Sequence, residues 1–268
     1  MPSAAPQQRW LEVAVQAAKS AGEVLLDWQQ RFTAREKGIN DFVTDADFAS
    51  QECIYRILMG EFSDHAFLGE EDLGNNVSLS HDGPLWIVDP LDGTANYVHR
   101  LQTYAVSIAL VVAGKIEVGV VYDPILRECY TAIRGGGAFL NDQPIRTSGC
   151  SLAAKGMIAV SFSNAVERGS VEIARFIEVL HHCQSVRRLG SAALNLAYVA
   201  SGRLDAYFAT SVKAWDIAAG VLFVEEAGGK VTNLTGQPLD LANPAFLATS
   251  SAEMHGEMLE LLAKASKS

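Results

Sequence analysis

Apolar residues recur at helical spacing early in the chain, where Leu11, Ala14, Val15, Ala18 and Leu25 share one face between Trp10 and Trp28. That stretch is predicted to be an amphipathic helix. Arg35-Glu36-Lys37-Gly38-Ile39-Asn40-Asp41 is polar and turn-rich and reads as a loop or a short mobile hairpin. A second helix is expected from about Thr44, with Phe48, Ile54, Ile57 and Leu58 along its buried side. Short strands are predicted at Ala66–Leu68 and Leu85–Val88, each running straight into carboxylates. From Tyr104 to Ile133 the pattern becomes strand, Ala-Gly turn, strand, Asp-Pro turn, strand, which predicts an antiparallel meander. Gly135-Gly136-Gly137 and Asn141-Asp142 punctuate the end of that sheet.

Beyond about residue 150 helices and strands alternate: strand Ile158–Ser161, helix Ser170–His182, helix Ser191–Ala200 and strand Leu204–Phe208. A helix from Asp216 to Glu226, strands near Val231 and at Phe246–Thr249, and a C-terminal helix follow. The expected class is mixed α/β (α+β). A helix-flanked antiparallel half over residues 1–150 joins an alternating α/β half over residues 151–268, packed as one compact unit.

Composition supports a globular chain: 268 residues, 49% hydrophobic and 19% charged, enough for one core or two lobes sharing one. Lys and Arg number 21 against 31 Asp and Glu, a net charge of −10. Such a surface repels nucleic-acid phosphates and anionic lipid, so neither is an expected partner. No apolar run has bilayer length, and MPSAAPQQRW lacks the basic and apolar blocks of a signal peptide. Cys53, Cys129, Cys150 and Cys183 are scattered and read as reduced thiols, so the expected setting is the cytoplasm.

The richest segment is Leu85-Trp86-Ile87-Val88-Asp89-Pro90-Leu91-Asp92-Gly93-Thr94-Ala95-Asn96-Tyr97. An apolar strand delivers Asp89, and Pro90, lacking an N–H, is expected to stop its ladder. Asp92 follows after a turn, so two carboxylates can converge. Gly93 and Thr94 then sit where a helix could begin, with free N–H groups suited to an anion. Carboxylates beside an anion cradle make chemical sense with divalent cations between them. Taken singly, the same dipeptides are also ordinary turn formers. Phe67-Leu68-Gly69-Glu70-Glu71-Asp72 is a second strand ending in acids, with Gly69 allowing close backbone approach. Trp215-Asp216-Ile217-Ala218-Ala219-Gly220 places Asp216 at a helix start, as N-cap or ligand, before a small-residue face. Thr44-Asp45-Ala46-Asp47 also fits a capping box.

Together these motifs, with Val43-Thr44-Asp45-Ala46-Asp47, Gly137-Ala138-Phe139-Leu140-Asn141 and Arg187-Arg188-Leu189-Gly190-Ser191-Ala192-Ala193, resemble the inositol monophosphatase family. Its members are lithium-sensitive, magnesium-dependent sugar-phosphate phosphatases. The resemblance runs from about Trp10 to the C-terminal helix and implies the layered α-β-α-β-α sugar-phosphatase fold. It implies two or three Mg²⁺ ions. Glu70, Asp89 and the Leu91 carbonyl would hold one; Asp89, Asp92 and Asp216 a second; and Glu70 would make further water-mediated or third-ion contacts. Asp47 and Thr94 would orient and deprotonate the attacking water, with Lys37 close by, and Gly93 and Thr94 N–H groups would grip the phosphate. Leu91, Gly190, Ser191, Ala192 and Asp216 are the further substrate-side candidates. A homodimer is also implied, with Arg187 and Arg188 either at its interface or facing solvent.

The implied reaction is hydrolysis of a phosphate monoester, first of all inositol monophosphate, and Asn96 fits the inositol monophosphatase form of the motif. One position departs. Seven residues before Asp216 the family has a glutamate that contacts inositol hydroxyls, and here stands Ala209. Losing a charged contact costs roughly 1.5–3 kcal/mol, which keeps histidinol phosphate, fructose 1,6-bisphosphate and 3′-phosphonucleotides as alternative substrates. Lys213, nearby, reads as a solvated lysine or as a contact for a second anionic group. Ser191 equally reads as an N-cap. His181 and His182 favour the negative end of their helix and are not placed like ligands. The three glycines at 135–137 form a turn, since no Lys-Ser/Thr follows. A non-catalytic, partner-binding protein on the same scaffold is the remaining alternative.

Overall fold

Val13, Ala14, Ala17, Ala18, Ala21 and Leu25 form a buried stripe along helix α1 (Ala4–Trp28), at the spacing that put the first helix there. The structure, a computed structural model, describes residues 4–38, 41–71, 77–163 and 165–265. Ile39 and Asn40 of the polar segment, Asp72 of the second acidic run and the first three residues lie outside them. The polar segment is a hairpin: β1 (Ala34–Gly38) pairs antiparallel with β2 (Asp41–Thr44). Thr44 then caps helix α2 (Asp45–Glu61).

The strands β3 (Ala66–Gly69) and β4 (Leu85–Asp92) are parallel, and a short helix α3 (Thr94–Val98) follows. Next come β5 (Ala105–Val112), β6 (Lys115–Asp123), β7 (Glu128–Ile133), β8 (Gly137–Leu140) and β9 (Gln143–Pro144), all antiparallel to their neighbours. They form one seven-stranded sheet in sequence order. The sheet does not end at the glycines: their turn and the Asn141-Asp142 turn each return the chain as a further strand. β4 is buried at all eight positions because helices cover both faces of the sheet, which explains its continuous apolar run.

The second half supplies β10 (Met157–Ser161), α4 (Val171–His182), β11 (Ser185–Arg187), α5 (Ala192–Ala200), β12 (Ala206–Ala209), α6 (Ala214–Glu226), β13 (Lys230–Asn233), β14 (Phe246–Thr249) and α7 (Ala252–Ala265). Its sheet runs β11-β10-β12-β14-β13, parallel among the first three and antiparallel thereafter. α1 and α2 cover the outer face of the large sheet, α5 and α6 lie between the sheets, and α4 and α7 cover the small sheet. That is the expected α-β-α-β-α layering. The middle core mixes both halves, with Leu85, Ala109 and Tyr130 packed among Leu196, Leu222 and Phe223. At Gly220 a Cβ would lie 2.4 Å from that of Leu196, so the small-residue face of α6 is what lets α5 close on it.

Several expectations change. Phe48 is 40% exposed. The buried stripe of α2 is instead Asp47, Ser50, Gln51, Ile54 and Leu58, polar at its start because it faces the acidic loops. β4 continues through Pro90 to Asp92: Asp89 pairs with Ser107 and Asp92 with Ala105, so a bulge absorbs the proline. α6 begins at Ala214, two residues before Asp216. β11 carried no periodic signal, being three residues at a sheet edge.

Candidate active site

The bulge at the end of β4 turns Asp89 and Asp92 toward one place. Asp89 Oδ1 accepts from the Leu91 N–H at 2.9 Å, which fixes the turn between the two acids. Gly93 follows with φ of +98°, a left-handed conformation that favours glycine, and starts α3. The first N–H groups of a helix have no acceptor within it, and Gly93, Thr94 and Ala95 line the cavity described below. Thr94 Oγ1 lies 3.0 Å from the Leu91 carbonyl and 3.2 Å from Asp47 Oδ1.

Asp47 is the far end of a polar stripe on α2. Its Oδ2 accepts from Thr44 N at 2.8 Å, the Asp47 half of the expected capping box, and from Thr44 Oγ1 at 2.6 Å, leaving Oδ1 for Thr94. One turn on, Ser50 Oγ donates to the Pro90 carbonyl at 2.8 Å. Gln51 Nε2 donates to the Glu71 carbonyl, and its Oε1 accepts from Glu71 N. Gly69 is required beside it, because a Cβ there would lie 2.1 Å from Gln51 Oε1. Glu70 N donates to the Val88 carbonyl at 3.0 Å, bringing Glu70 next to β4. Lys37, from the hairpin, reaches Glu70 at 3.1 Å and also pairs with Glu71.

The second half contributes two helix starts. Asp216 lies in the first turn of α6, where its Oδ2 accepts from Lys213 N at 2.7 Å; Lys213 is therefore the N-cap residue. Ser107 on β5 donates to the Trp215 carbonyl at 3.2 Å and ties that start to the large sheet. Ser191 caps α5, accepting from Leu194 N, and donates to Asp92. Asn96 reaches across from α3 to the Leu189 and Thr103 carbonyls at 2.8 and 2.7 Å, holding the segment before Gly190.

These elements surround an open cavity of about 420 Å³. Glu70, Asp89, Leu91, Asp92, Gly93, Thr94, Gly190, Asp216 and Lys37 all line it, as does Lys213. Asp47, Ser191 and Ala192 stand behind its wall, and Ala209 is buried at the end of β12. Phe42, Ala95, Ser211, Val212 and Trp215 complete the lining and were not singled out from the sequence. Ser50 and Gln51 were also missed, although their three- and four-residue spacing from Asp47 was a readable signal. His182 binds its own helix carbonyl at Glu178, and Arg187 and Arg188 are exposed. The glycine turn cradles an internal carboxylate, with Gly135 N and Gly137 N donating to Glu226. The four cysteines are free, and no helix among the described residues is long and apolar enough to cross a membrane.

Burial of so many acids shows in their proton affinities. Burial, reinforced by Glu70, Asp92 and Asp216, pushes Asp89 well above the ordinary carboxylate range. Asp216 is pushed up to about 8 by burial and Asp92. Asp92 rises to about 6, burial outweighing its bonds from Ser191, Ala193 and Ala192. Burial takes Asp47 to about 7 against the pull of Thr44. Burial opposes the charge on Lys37, yet Glu70 and Glu71 outweigh it and hold the ammonium above its ordinary value.

The donor set is all oxygen: four carboxylates and a backbone carbonyl. That suits a hard cation such as Mg²⁺, which keeps waters and phosphate oxygens in its shell, and offers nothing soft for zinc or copper. Among the described residues no three acidic, histidine or cysteine side chains form a ready-made cage for a metal ion. Mg²⁺ binds through one or two carboxylates and keeps several waters, so water and phosphate oxygens would complete its shell here.

Most of the chain has close counterparts. A model of the inositol monophosphatase family matches residues 6–268. A Nus factor SuhB from Pasteurella multocida is 42% identical over 231 residues, covering 84% of this chain and 85% of its own. Inositol monophosphatase 3 from Solanum lycopersicum is 40% identical over 250 residues, 91% of this chain and 93% of its own. The solved structure of an inositol monophosphatase from Anabaena (Nostoc) sp. matches with a TM-score of 0.84 at 37% identity, covering 96% of each chain.

Proposed function

The chain belongs to the inositol monophosphatase family, whose members are phosphoric monoester hydrolases, and from that premise we propose that it hydrolyses inositol monophosphate to inositol and phosphate. The observation that carries this reading is one cavity lined by Glu70, Asp89, Asp92 and Asp216 together with the start of α3. Glu70, Asp89 and the Leu91 carbonyl would hold one Mg²⁺ and Asp89, Asp92 and Asp216 a second, with Glu70 serving any third through water. Bound there, the ions would offset phosphate charge, acidify water and stabilise the leaving alkoxide.

The chain's own groups do the rest. The N–H groups of Gly93 and Thr94 grip the phosphate oxygens at the start of α3. Thr94 Oγ1 holds the attacking water and passes its proton toward Asp47 Oδ1, the end of that carboxylate which Thr44 leaves open. A base whose proton affinity sits at about 7 is well matched to neutral pH. Lys37 steadies Glu70 beside that water. Asp216 and the Gly190 segment face the polyol.

Phosphate release with Mg²⁺ and with chelator tests this, across inositol 1-phosphate, histidinol phosphate, fructose 1,6-bisphosphate, 3′-phosphoadenosine 5′-phosphate and glycerol 2-phosphate. Mg²⁺-dependent turnover led by inositol 1-phosphate supports the proposal. Another leading substrate keeps the chemistry and moves the specificity, as Ala209 allows. Similarity to the Nus factor SuhB of P. multocida favours a second reading, a role in binding a partner macromolecule. Silence across the panel would select it. The cytoplasm and a homodimer, with Arg187 and Arg188 exposed at the end of β11, belong to the same proposal.

A further inference from the structure

Asp92 belongs to the large sheet, yet its carboxylate is held by the other half of the molecule. Ser191 Oγ donates to Oδ2 at 2.5 Å, Ala193 N to Oδ2 at 2.7 Å and Ala192 N to Oδ1 at 3.1 Å. Ser191 and Asp92 are both buried. A hydroxyl has one proton to give. Ser191 Oγ gives that proton to Asp92 and accepts from Leu194 N at 3.2 Å. Nothing is left for it to donate to a substrate, and it stands outside the cavity lining. The start of α5 is an anion cradle, and Asp92 is the anion in it.

The lone pairs can be counted. A carboxylate offers about four acceptor sites, two on each oxygen. Two donors saturate Oδ2 and one donor occupies half of Oδ1, which leaves a single site, on Oδ1. We propose that Ser191 is a positioning residue for Asp92. With the first N–H groups of α5 it fixes the carboxylate so that Oδ1 alone serves a divalent cation, and metal affinity thereby depends on the docking of α5 against the large sheet. The inference rests on the reading of Asp92 as a metal ligand.

The test is Mn²⁺ binding to the full chain, followed by electron paramagnetic resonance without substrate, in Ser191→Gly, Ser191→Thr and Asp92→Asn. Glycine is tolerated at an N-cap with a loss of only a few tenths of a kcal/mol, so the helix is kept while the hydroxyl is removed. Ser191→Gly is expected to weaken Mn²⁺ binding roughly ten- to a hundredfold, as loss of a ligand's supporting partner does. Ser191→Thr, which keeps the hydroxyl, restores it, and the KM for phosphate ester at saturating Mg²⁺ moves little in either. Should Ser191→Gly not fold, Ser191→Cys, which keeps the side-chain shape and donates only weakly, takes its place. Unchanged Mn²⁺ binding with a raised KM would overturn the proposal and make Ser191 a substrate contact. Equal loss in the Gly and Thr variants would overturn it too, as a cap effect. If Asp92→Asn binds Mn²⁺ normally, the ligand reading itself fails, a result separate from the other two.

Discussion

Gln51 and Glu71 exchange a pair of hydrogen bonds, Gln51 Nε2 to the Glu71 carbonyl at 2.6 Å and Glu71 N to Gln51 Oε1 at 3.0 Å. A side-chain amide here pairs with the backbone just beyond β3, and it anchors the segment that carries Glu70 to helix α2. Only an amide can both donate and accept in this way; an ionised carboxylate accepts only.

Gln51→Glu is therefore expected to destabilise the fold despite its identical shape. It faces the Glu71 carbonyl with a second acceptor and buries a charge among acids, and an unsatisfied buried polar group costs about 1–3 kcal/mol. Urea denaturation of the two proteins measures this. A midpoint unchanged at neutral pH would show that the amide pair is not what holds the loop.

Asp89→Asn is expected to lower kcat roughly 10²–10³-fold or more, the scale seen when one transition-state stabiliser is removed. The fold should survive, because the change removes a buried charge from beside Glu70, Asp92 and Asp216. Thermal denaturation in chelator should show a Tm at least equal to that of the parent above neutral pH. Full turnover in this variant would contradict the assignment of Asp89.

The acids also predict a pH dependence. Asp92, Asp47 and Asp216 release their protons at about 6, 7 and 8 in the fold, against an ordinary value of 3.8. Between these limits the folded protein holds protons that the unfolded chain has lost, so stability falls as pH rises. In chelator, Tm should drop from about pH 4 to about pH 9, most steeply below about pH 6, where the fold still holds all three protons, and level off as each group in turn releases its own. Mg²⁺ should offset the drop, since an ion that binds only the folded form stabilises it. A Tm in chelator that rises with pH would refute the sign.

Much of this site is readable in one sequence, and the limits have physical causes. Asp89, Asp92, Glu70 and Asp216 stood out because each follows an apolar run or opens a helix, and all four line one cavity. The caps at Thr44 and Ser191 are local chemistry and are found where expected. What local pattern could not show is where a second partner lies. Ser191 reads as a cap, and nothing nearby in sequence says that its proton goes to Asp92, 99 residues away. Pro90 argued for a strand end because the rule concerns a regular ladder; a bulge removes the need for its missing N–H. Phe48 was placed inside by its apolarity, whereas the helix turns Asp47, Ser50 and Gln51 inward because only there can their polar groups be paired.

Lys213 predicts how the cavity treats a second negative charge. It is exposed, lines the cavity and forms no ion pair among the described residues, whereas Lys37 is committed to Glu70 and Glu71. The wall from Ser211 to Lys213 presents donors, and Ala209 supplies no acceptor for a polyol hydroxyl. A substrate carrying a further phosphate should therefore gain more from Lys213 than a monophosphate does. An exposed ion pair is worth about 0.2–1 kcal/mol, so in Lys213→Gln the kcat/KM for fructose 1,6-bisphosphate should fall about 1.5- to 5-fold relative to that for inositol 1-phosphate. The difference should fade as salt is raised, because the charge is screened by solvent. An unchanged ratio at low ionic strength would return Lys213 to the role its backbone already has, capping α6 at Asp216.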